Sequence, residues 1–209
     1  MKKLYIILTL LCFAVLMLTA IEGLKLSTEA DAITTNTSDK QTETKIEDEI
    51  KEEIKEESEV EEINFKVYQT PNTTGFKSFM DFKTITDKTT KQYELQNTYA
   101  YTGNYGIRMA NNRYCIALGT YYGAEIGQYV DLVLDNDVTI HCILADIKDD
   151  KHTDSNNIVT LHNGCATEFI IDGDMLLDSV KIYGDISYSD SNWGSPVKEV
   201  VVYEENVFN

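Results

Sequence analysis

The sequence is poor in residues that break strands and in residues that attract nucleic acid. It contains only two prolines and eleven glycines in 209 residues, whereas tyrosine occurs thirteen times. Valine, isoleucine and threonine are abundant after residue 64, and this composition favours strands over long helices. Basic residues are outnumbered, with 18 Lys and Arg against 35 Asp and Glu, for a formal net charge of −17. Because this charge repels a polyanion, we expect no nucleic-acid partner.

Cysteine is scarce in the part of the chain that is expected to fold. Cys12 lies in an apolar N-terminal run, which leaves Cys115, Cys142 and Cys165 for the rest of the chain. Three thiols cannot all pair internally, so the chain is not a disulfide-stapled miniprotein. One disulfide with a free thiol and three buried thiols both fit the sequence.

A long apolar run stands at the start of the chain. Lys2 and Lys3 precede residues 4–20, which are almost exclusively apolar. This is the pattern of an export signal, and its length approaches the shortest segment that can cross a bilayer. We therefore predict a signal peptide or membrane anchor over residues 1–22, and favour the anchor because the A-x-A triplet at 30–32 lies well past the run. The remaining chain would then face the outside of the cell, or be secreted if the segment is cleaved.

Residues 23–63 are predicted to form an acidic stalk. The first half is rich in small polar and acidic residues, which cannot bury enough surface to offset the entropy of ordering. In residues 45–62, Ile46, Ile50 and Ile54 are spaced by four and would share one narrow face of a helix. A solvated helical spacer explains this stripe, and weak self-association as a coiled coil is the alternative.

Short apolar segments separated by turn residues characterise the remainder, residues 64–209. These about 145 residues suffice for one domain with one core. Strands are predicted at 113–118, 129–134, 138–145, 166–172 and 197–203, with a turn at 135–137 and loops at 119–127 and 147–157. Residues 76–86 alternate poorly and could hold a strand or a short helix. Strands at intervals of roughly ten to twenty residues indicate a small barrel or sandwich.

Four segments in this region, 113–119, 126–134, 143–146 and 168–172, carry a recognisable pattern. Together they resemble the double-psi β-barrel of the three-aspartate (3D) domain group, which MltA-type lytic transglycosylases, RlpA-like proteins and the barrel domain of expansins share. The stretch 148–154 resembles a clostridial and phage-associated group of secreted proteins. The resemblance covers about residues 100–205 and implies a mainly β, six-stranded barrel in an envelope protein of a Gram-positive bacterium or its phage.

The resemblance also implies two acidic site residues. In the enzymes of this barrel, one aspartate precedes a Gly-rich loop and a second follows it; by position these fall on Asp146 and Glu168. A glutamate thus replaces the second aspartate, and residues 147–154 replace the Gly-rich loop.

One carboxyl group with a raised pKa can protonate the leaving oxygen and then act as base. Glu168, among apolar sequence neighbours, is the predicted acid, and Asp146 would position it or stabilise charge on the sugar. Alternatively, Glu168 faces outwards and Asp146 bonds backbone amides in a turn.

Four further residues are candidate substrate ligands. His152 and Asp154 lie in the loop between the two acidic residues, where they could bind sugar or orient an acid. Tyr121 and Tyr122 lie in a loop after a strand, where their rings could stack on pyranose faces. No metal or other cofactor is predicted, because the acidic loop lacks the glycine and closing glutamate of an EF-hand and no Cys-x-x-Cys pair is present.

The sequence therefore predicts an envelope protein whose partners are peptidoglycan glycan strands and, through the N-terminal segment, the membrane. Cleavage of the glycan as a lytic transglycosylase is one hypothesis. The alternative is a non-catalytic module on a membrane-tethered stalk that binds the wall or another protein. Convergence of Asp146 and Glu168 in a cleft with aromatic walls would favour the enzyme.

Overall fold

The computed structural model describes residues 64–71 and 73–209. The predicted signal peptide or anchor, the stalk with its isoleucine stripe, and Cys12 all lie outside the described residues. Within these ranges, no helix is both long and apolar enough to cross a membrane.

One mixed sheet of nine strands dominates the described part of the chain. The strands are β1 (Phe65–Gln69), β2 (Ser78–Asp81), β3 (Tyr101–Thr102), β4 (Arg108–Ala110), β5 (Arg113–Leu118), β6 (Gln128–Leu134), β7 (Thr139–Ile147), β8 (Thr167–Ile171) and β9 (Val197–Asn206). The main order is β1-β9-β6-β7-β5-β4-β3, while β8 pairs with both β5 and β2. The β5–β7 and β2–β8 pairs are parallel, and the other pairs are antiparallel.

Helices are few and short in this region. Helix α1 (Lys91–Glu94) continues into a π-helical turn (Leu95–Tyr99), and α2 spans Asp178–Tyr183. Thr90 caps α1, because its hydroxyl accepts a hydrogen bond from the Tyr93 amide. Short 3-10 turns occupy Phe82–Thr84, Asn104–Gly106, Thr120–Tyr122, Asp150–His152 and Ile186–Ser189.

The central strands agree with the pattern of the sequence. Strands β5, β6, β7, β8 and β9 confirm the five predicted strands, with differences of a few residues at the ends of four of them. The ambiguous segment 76–86 contains β2 followed by a 3-10 turn. The predicted turn at 135–137 joins β6 to β7: the Asp137 amide donates to the Leu134 carbonyl, and Asp137 has a φ of 63°.

The core lies around β5, β6 and β7, whose apolar side chains are almost all buried. Cys115, Cys142 and Cys165 are also buried and carry free thiols, so of the two alternatives left open by the sequence the structure has three buried thiols. Burial raises the pKa of the Cys115 thiol to about 12, which keeps it protonated and unreactive at neutral pH.

Strand β5 has neighbours along both of its edges. One edge pairs with β7, and the other pairs first with β4 and then, from Ile116 onward, with β8. A register shift in the β5–β7 pair falls between Ile116 and Ala117. As a consequence, Ala117 has Asp146 as its partner on one side and Glu168 as its partner on the other.

Candidate functional site

A row of four side chains crosses the sheet and forms the floor of a cleft. Ser78 on β2 pairs with Glu168 on β8, Glu168 pairs with Ala117 on β5, and Ala117 pairs with Asp146 on β7. Paired residues on neighbouring strands project from the same face of a sheet. All four residues line one cleft of about 610 Å³, and Ala117 is small enough to leave space between the two acidic side chains. The volume is within the range of small-molecule sites.

Two polar segments form the walls of this cleft. One follows β7 and contributes Lys148, Lys151 and His152; the other precedes β8 and contributes Leu161 and His162. The amide of Leu161 donates to the carbonyl of His152 over 3.0 Å, so the two walls are joined directly. A backbone bridge between residues 153 and 160 adds a second connection.

The wall after β7 is held against the sheet at close range. A Cβ atom on Gly119, at the end of β5, would lie only 2.0 Å from the carbonyl oxygen of Asn157. Asp154 is part of the same support: its carboxylate accepts hydrogen bonds from the amides of Ile158 at 2.7 Å and Val159 at 3.0 Å. The bond from Val159 is the main cause of a lowered Asp154 pKa. These contacts give the cleft a defined wall.

Asp146 is a carboxyl group of the cleft whose pKa the fold raises. Burial raises its pKa, and the nearby charge of Glu168 acts in the same direction. Contacts with the Ile147 amide and the Gln92 side chain, and the charge of Lys148, oppose this increase. A carboxyl group with a raised pKa stays protonated to a higher pH, which is the property that a general acid requires.

Lys148 brings a buried ammonium group into the same cleft. Its side chain is only 4% exposed, and Nζ lies 3.9 Å from Oε2 of Glu168. This separation allows attraction between the charges but is too long for a hydrogen bond. Nζ has no hydrogen-bond partner among the described residues. Burial lowers the Lys148 pKa, and the charges of Glu168 and Asp146 oppose that change.

The structure brings together three of the six residues selected from the sequence. Asp146, Glu168 and His152 line the cleft. Glu168 is 28% exposed, and Asp146 lies near the end of β7 rather than in a turn. Asp154 lies outside the lining and bonds backbone amides instead.

The two tyrosines also lie outside the cleft lining. Tyr121 is 42% exposed and packs edge-on against Tyr68. Tyr122, whose ring was predicted to stack on a pyranose face, is fully buried, and its hydroxyl donates to the carbonyl of Ile158 over 3.2 Å. Burial raises the pKa of Tyr122. Tyr122 lies in the short 3-10 turn Thr120–Tyr122, and its ring points inwards. The amino-acid composition of the loop does not predict this direction.

Other cleft residues were not selected from the sequence. Lys148 could have been, because residues two apart in an extended chain project to the same side and Asp146 was already a candidate. Ser78 could not, because its position depends on the parallel pairing of β2 with β8, far apart along the chain. Among the described residues, no group of three or more His, Cys, Asp or Glu side chains is arranged to hold a metal ion.

Comparisons with family models, with curated proteins and with solved structures found no match to this chain.

Proposed function

We propose that residues 64–209 form a double-psi β-barrel domain that binds peptidoglycan glycan in the cleft and cleaves it as a lytic transglycosylase. The observation that carries this proposal is the placement of Asp146 and Glu168 on either side of Ala117 on the cleft floor. The barrel is supported by the sequence resemblance and by the two parallel pairs, β5–β7 and β2–β8, within the mixed sheet.

The two carboxyl groups have different surroundings, and this suggests different roles. Glu168 is the acid that the sequence predicts. We propose the opposite assignment, because burial raises the pKa of Asp146 whereas the carboxyl group of Glu168 faces the ammonium of Lys148. Asp146 would then donate a proton to the substrate, and Glu168 would stabilise positive charge that develops on the sugar ring.

The reaction needs one proton donor that later becomes a base. Asp146 protonates the glycosidic oxygen as the bond from that oxygen to C1 of the sugar breaks. Its carboxylate then removes the proton from the C6 hydroxyl of the same sugar, and the C6 oxygen forms a bond with C1. The products are a shortened strand and a 1,6-anhydro end, and no water is consumed. The backbones of Asp146 and Glu168 lie about 10 Å apart, two strand spacings, which leaves room for a sugar between their side chains.

A non-catalytic wall-binding module is the second candidate. One observation favours it over the enzyme: the described lining contains no Phe, Tyr or Trp, so the aromatic walls expected of the enzyme are missing. The apolar part of the lining instead comes from aliphatic and thioether side chains such as Met80 and Leu161. In either case we propose an exported protein tethered through the N-terminal apolar run, which places the cleft outside the cell.

The test is digestion of purified peptidoglycan by the full-length protein in mild detergent, with mass spectrometry of the soluble muropeptides. We expect 1,6-anhydro products from the unaltered protein. Asp146→Asn should reduce their rate of formation by about 100-fold or more, because the acid is lost. Glu168→Gln should cause a smaller loss. Asp149→Asn is the matched control, because Asp149 also lines the cleft but is exposed and paired with Lys151.

The outcomes separate the candidates. Loss of products in Glu168→Gln with partial activity in Asp146→Asn would return the acid role to Glu168. An unaltered protein that pellets with the wall but releases no anhydro product would be a binding module.

A further inference from the structure

The cleft contains a strong hydrogen-bond donor whose bonding capacity is unused. The Lys148 ammonium can donate three hydrogen bonds, yet it makes none to the described residues, and its side chain is only 4% exposed. A buried donor without an acceptor is costly, so proteins rarely retain one without a reason.

A second buried lysine, Lys77, provides a comparison, because its ammonium group stabilises the fold through hydrogen bonds. Lys77 is 0% exposed, and its Nζ donates to the backbone carbonyls of Gly75, Trp193 and Ser195. Acceptors are thus provided where a lysine is part of the framework. Lys148 belongs to the lining of the cleft instead, but its Nζ is almost completely covered, so an acceptor supplied by a ligand would meet this atom after the flexible side chain turns towards the cleft.

The acidic groups around Lys148 indicate whether a ligand group that accepts from its ammonium should be charged or neutral. Glu168 lies 3.9 Å from Nζ, and the charge of Asp146 also acts on it. A ligand carboxylate or phosphate would add a further negative charge beside these two acidic residues, which is unfavourable. An uncharged carbonyl oxygen would accept from Lys148 without that repulsion.

The same corner of the cleft also provides acceptors and apolar surface. The carboxyl oxygens of Glu168 and Asp146 can accept from an N–H group, and Met80 and Leu161 offer apolar contacts within the same lining. A carbonyl, an N–H and a small apolar substituent together describe a secondary amide such as an acetamido group.

We propose that Lys148 forms a subsite for a secondary amide, specifically the acetamido group of an N-acetylhexosamine, with Lys148 donating to the carbonyl oxygen. This inference rests on the proposed function, because it requires that the cleft bind glycan. The stem peptide of the wall also contains secondary amides, so the test must distinguish the two sources.

The experiment compares two tetrasaccharides that differ only at C2 of each sugar: chitotetraose, with acetamido groups, and cellotetraose, with hydroxyl groups. Calorimetry with the full-length protein in mild detergent measures both affinities. We expect chitotetraose to bind roughly tenfold more tightly. In Lys148→Met the affinity for chitotetraose should fall by roughly tenfold, while that for cellotetraose stays unchanged. Lys151→Met is the control, because Lys151 lines the same cleft but is exposed and paired with Asp149.

Other outcomes would overturn the inference in distinguishable ways. If Lys148→Met folds normally and keeps the full preference for chitotetraose, Lys148 is not the donor. If only peptide-bearing muropeptides bind, and this binding depends on Lys148, the amide belongs to the stem peptide and the acetamido assignment is wrong. If the protein binds neither tetrasaccharide nor the intact wall, the proposed function fails together with the subsite.

Discussion

Two buried lysines, Lys77 and Lys148, differ in the hydrogen-bond partners of their ammonium groups. Lys77 lies in the framework, meaning the segments whose contacts hold the fold together, and Lys148 lies in the cleft. We call Lys77 the framework lysine, because its ammonium joins the segment around Gly75 to the segment from Trp193 to Ser195. Lys148 is the cleft lysine, and its ammonium has no hydrogen-bond partner among the described residues. Burial lowers the pKa of both. Their different bonding shows that the fold supplies three carbonyl acceptors to Lys77 and none among the described residues to Lys148.

The largest effect is expected from Lys77→Met. This change removes the donor to three backbone carbonyl groups, so we expect the free energy of unfolding to fall by about 3 kcal/mol. Chemical denaturation measures this loss. Lys88→Met, at an exposed position, should change the free energy by less than about 0.5 kcal/mol. A Lys77→Met protein as stable as its parent would remove the distinction between the two lysines.

Lys148→Met should change the stability much less than Lys77→Met. The variant loses no hydrogen bond and avoids burying an ammonium group, but it also loses the attraction to Glu168 at 3.9 Å, and the 28% exposure of Glu168 lets water solvate the carboxylate that remains. These effects oppose one another, so we expect the free energy of unfolding to change by no more than about 1 kcal/mol in either direction. The same denaturation experiment measures it. A loss as large as that of Lys77→Met would mean that Lys148 serves the framework.

Tyr122→Phe tests whether the 3-10 turn that follows β5, Thr120–Tyr122, stabilises the fold rather than binding a ligand. The hydroxyl of Tyr122 bonds the carbonyl of Ile158, so we expect a loss of about 1 kcal/mol in stability and no change in glycan affinity. Tyr121→Phe should change neither. Weaker glycan binding by Tyr122→Phe without a loss of stability would favour the ligand role that the sequence analysis gave this residue.

The smallest expected effect is a pH dependence from Asp146. Since the folded pKa is raised, the folded state binds more protons than the unfolded state between the ordinary carboxyl value of 3.8 and the raised value. The stability that Asp146 contributes is therefore full below the ordinary value and is lost as the pH rises through the raised value. Other carboxyl groups with lowered pKa values, such as Asp154, act in the opposite direction, so the effect of Asp146 is the difference between two proteins. Denaturation across the acidic range should show that the parent loses stability relative to Asp146→Asn as the pH rises through the raised value. A difference between the two proteins that does not change with pH would mean that Asp146 does not cause the effect.

The sequence could predict the central strands because their signals are local. Residues 113–118 were predicted as a strand, and β5 has the same bounds. Asp137 adopts the left-handed conformation in the predicted turn between β6 and β7, as short polar residues can. Strands β1, β3 and β4 were not predicted; β1 is largely exposed, and β3 and β4 are only two and three residues long, so none carries a clear pattern.

The candidate site could be predicted only in part. Asp146 and Glu168 were selected by resemblance, and His152 by its position between them. Their meeting at Ala117 depends on strand pairings between distant segments and on the register shift after Ile116. The sequence contains no local signal for these features, because hydrogen bonding between strands joins residues far apart along the chain.

By itself, then, the sequence determined that the described region is mainly β and that two acidic residues flank a polar loop, since alternation, turn residues and composition act over a few neighbouring positions. Only the tertiary structure decided which polar side chains are buried and which of them find partners. Lys77 and Lys148 are the same residue type, and the difference between three carbonyl acceptors and none arises from what the fold places around each ammonium group.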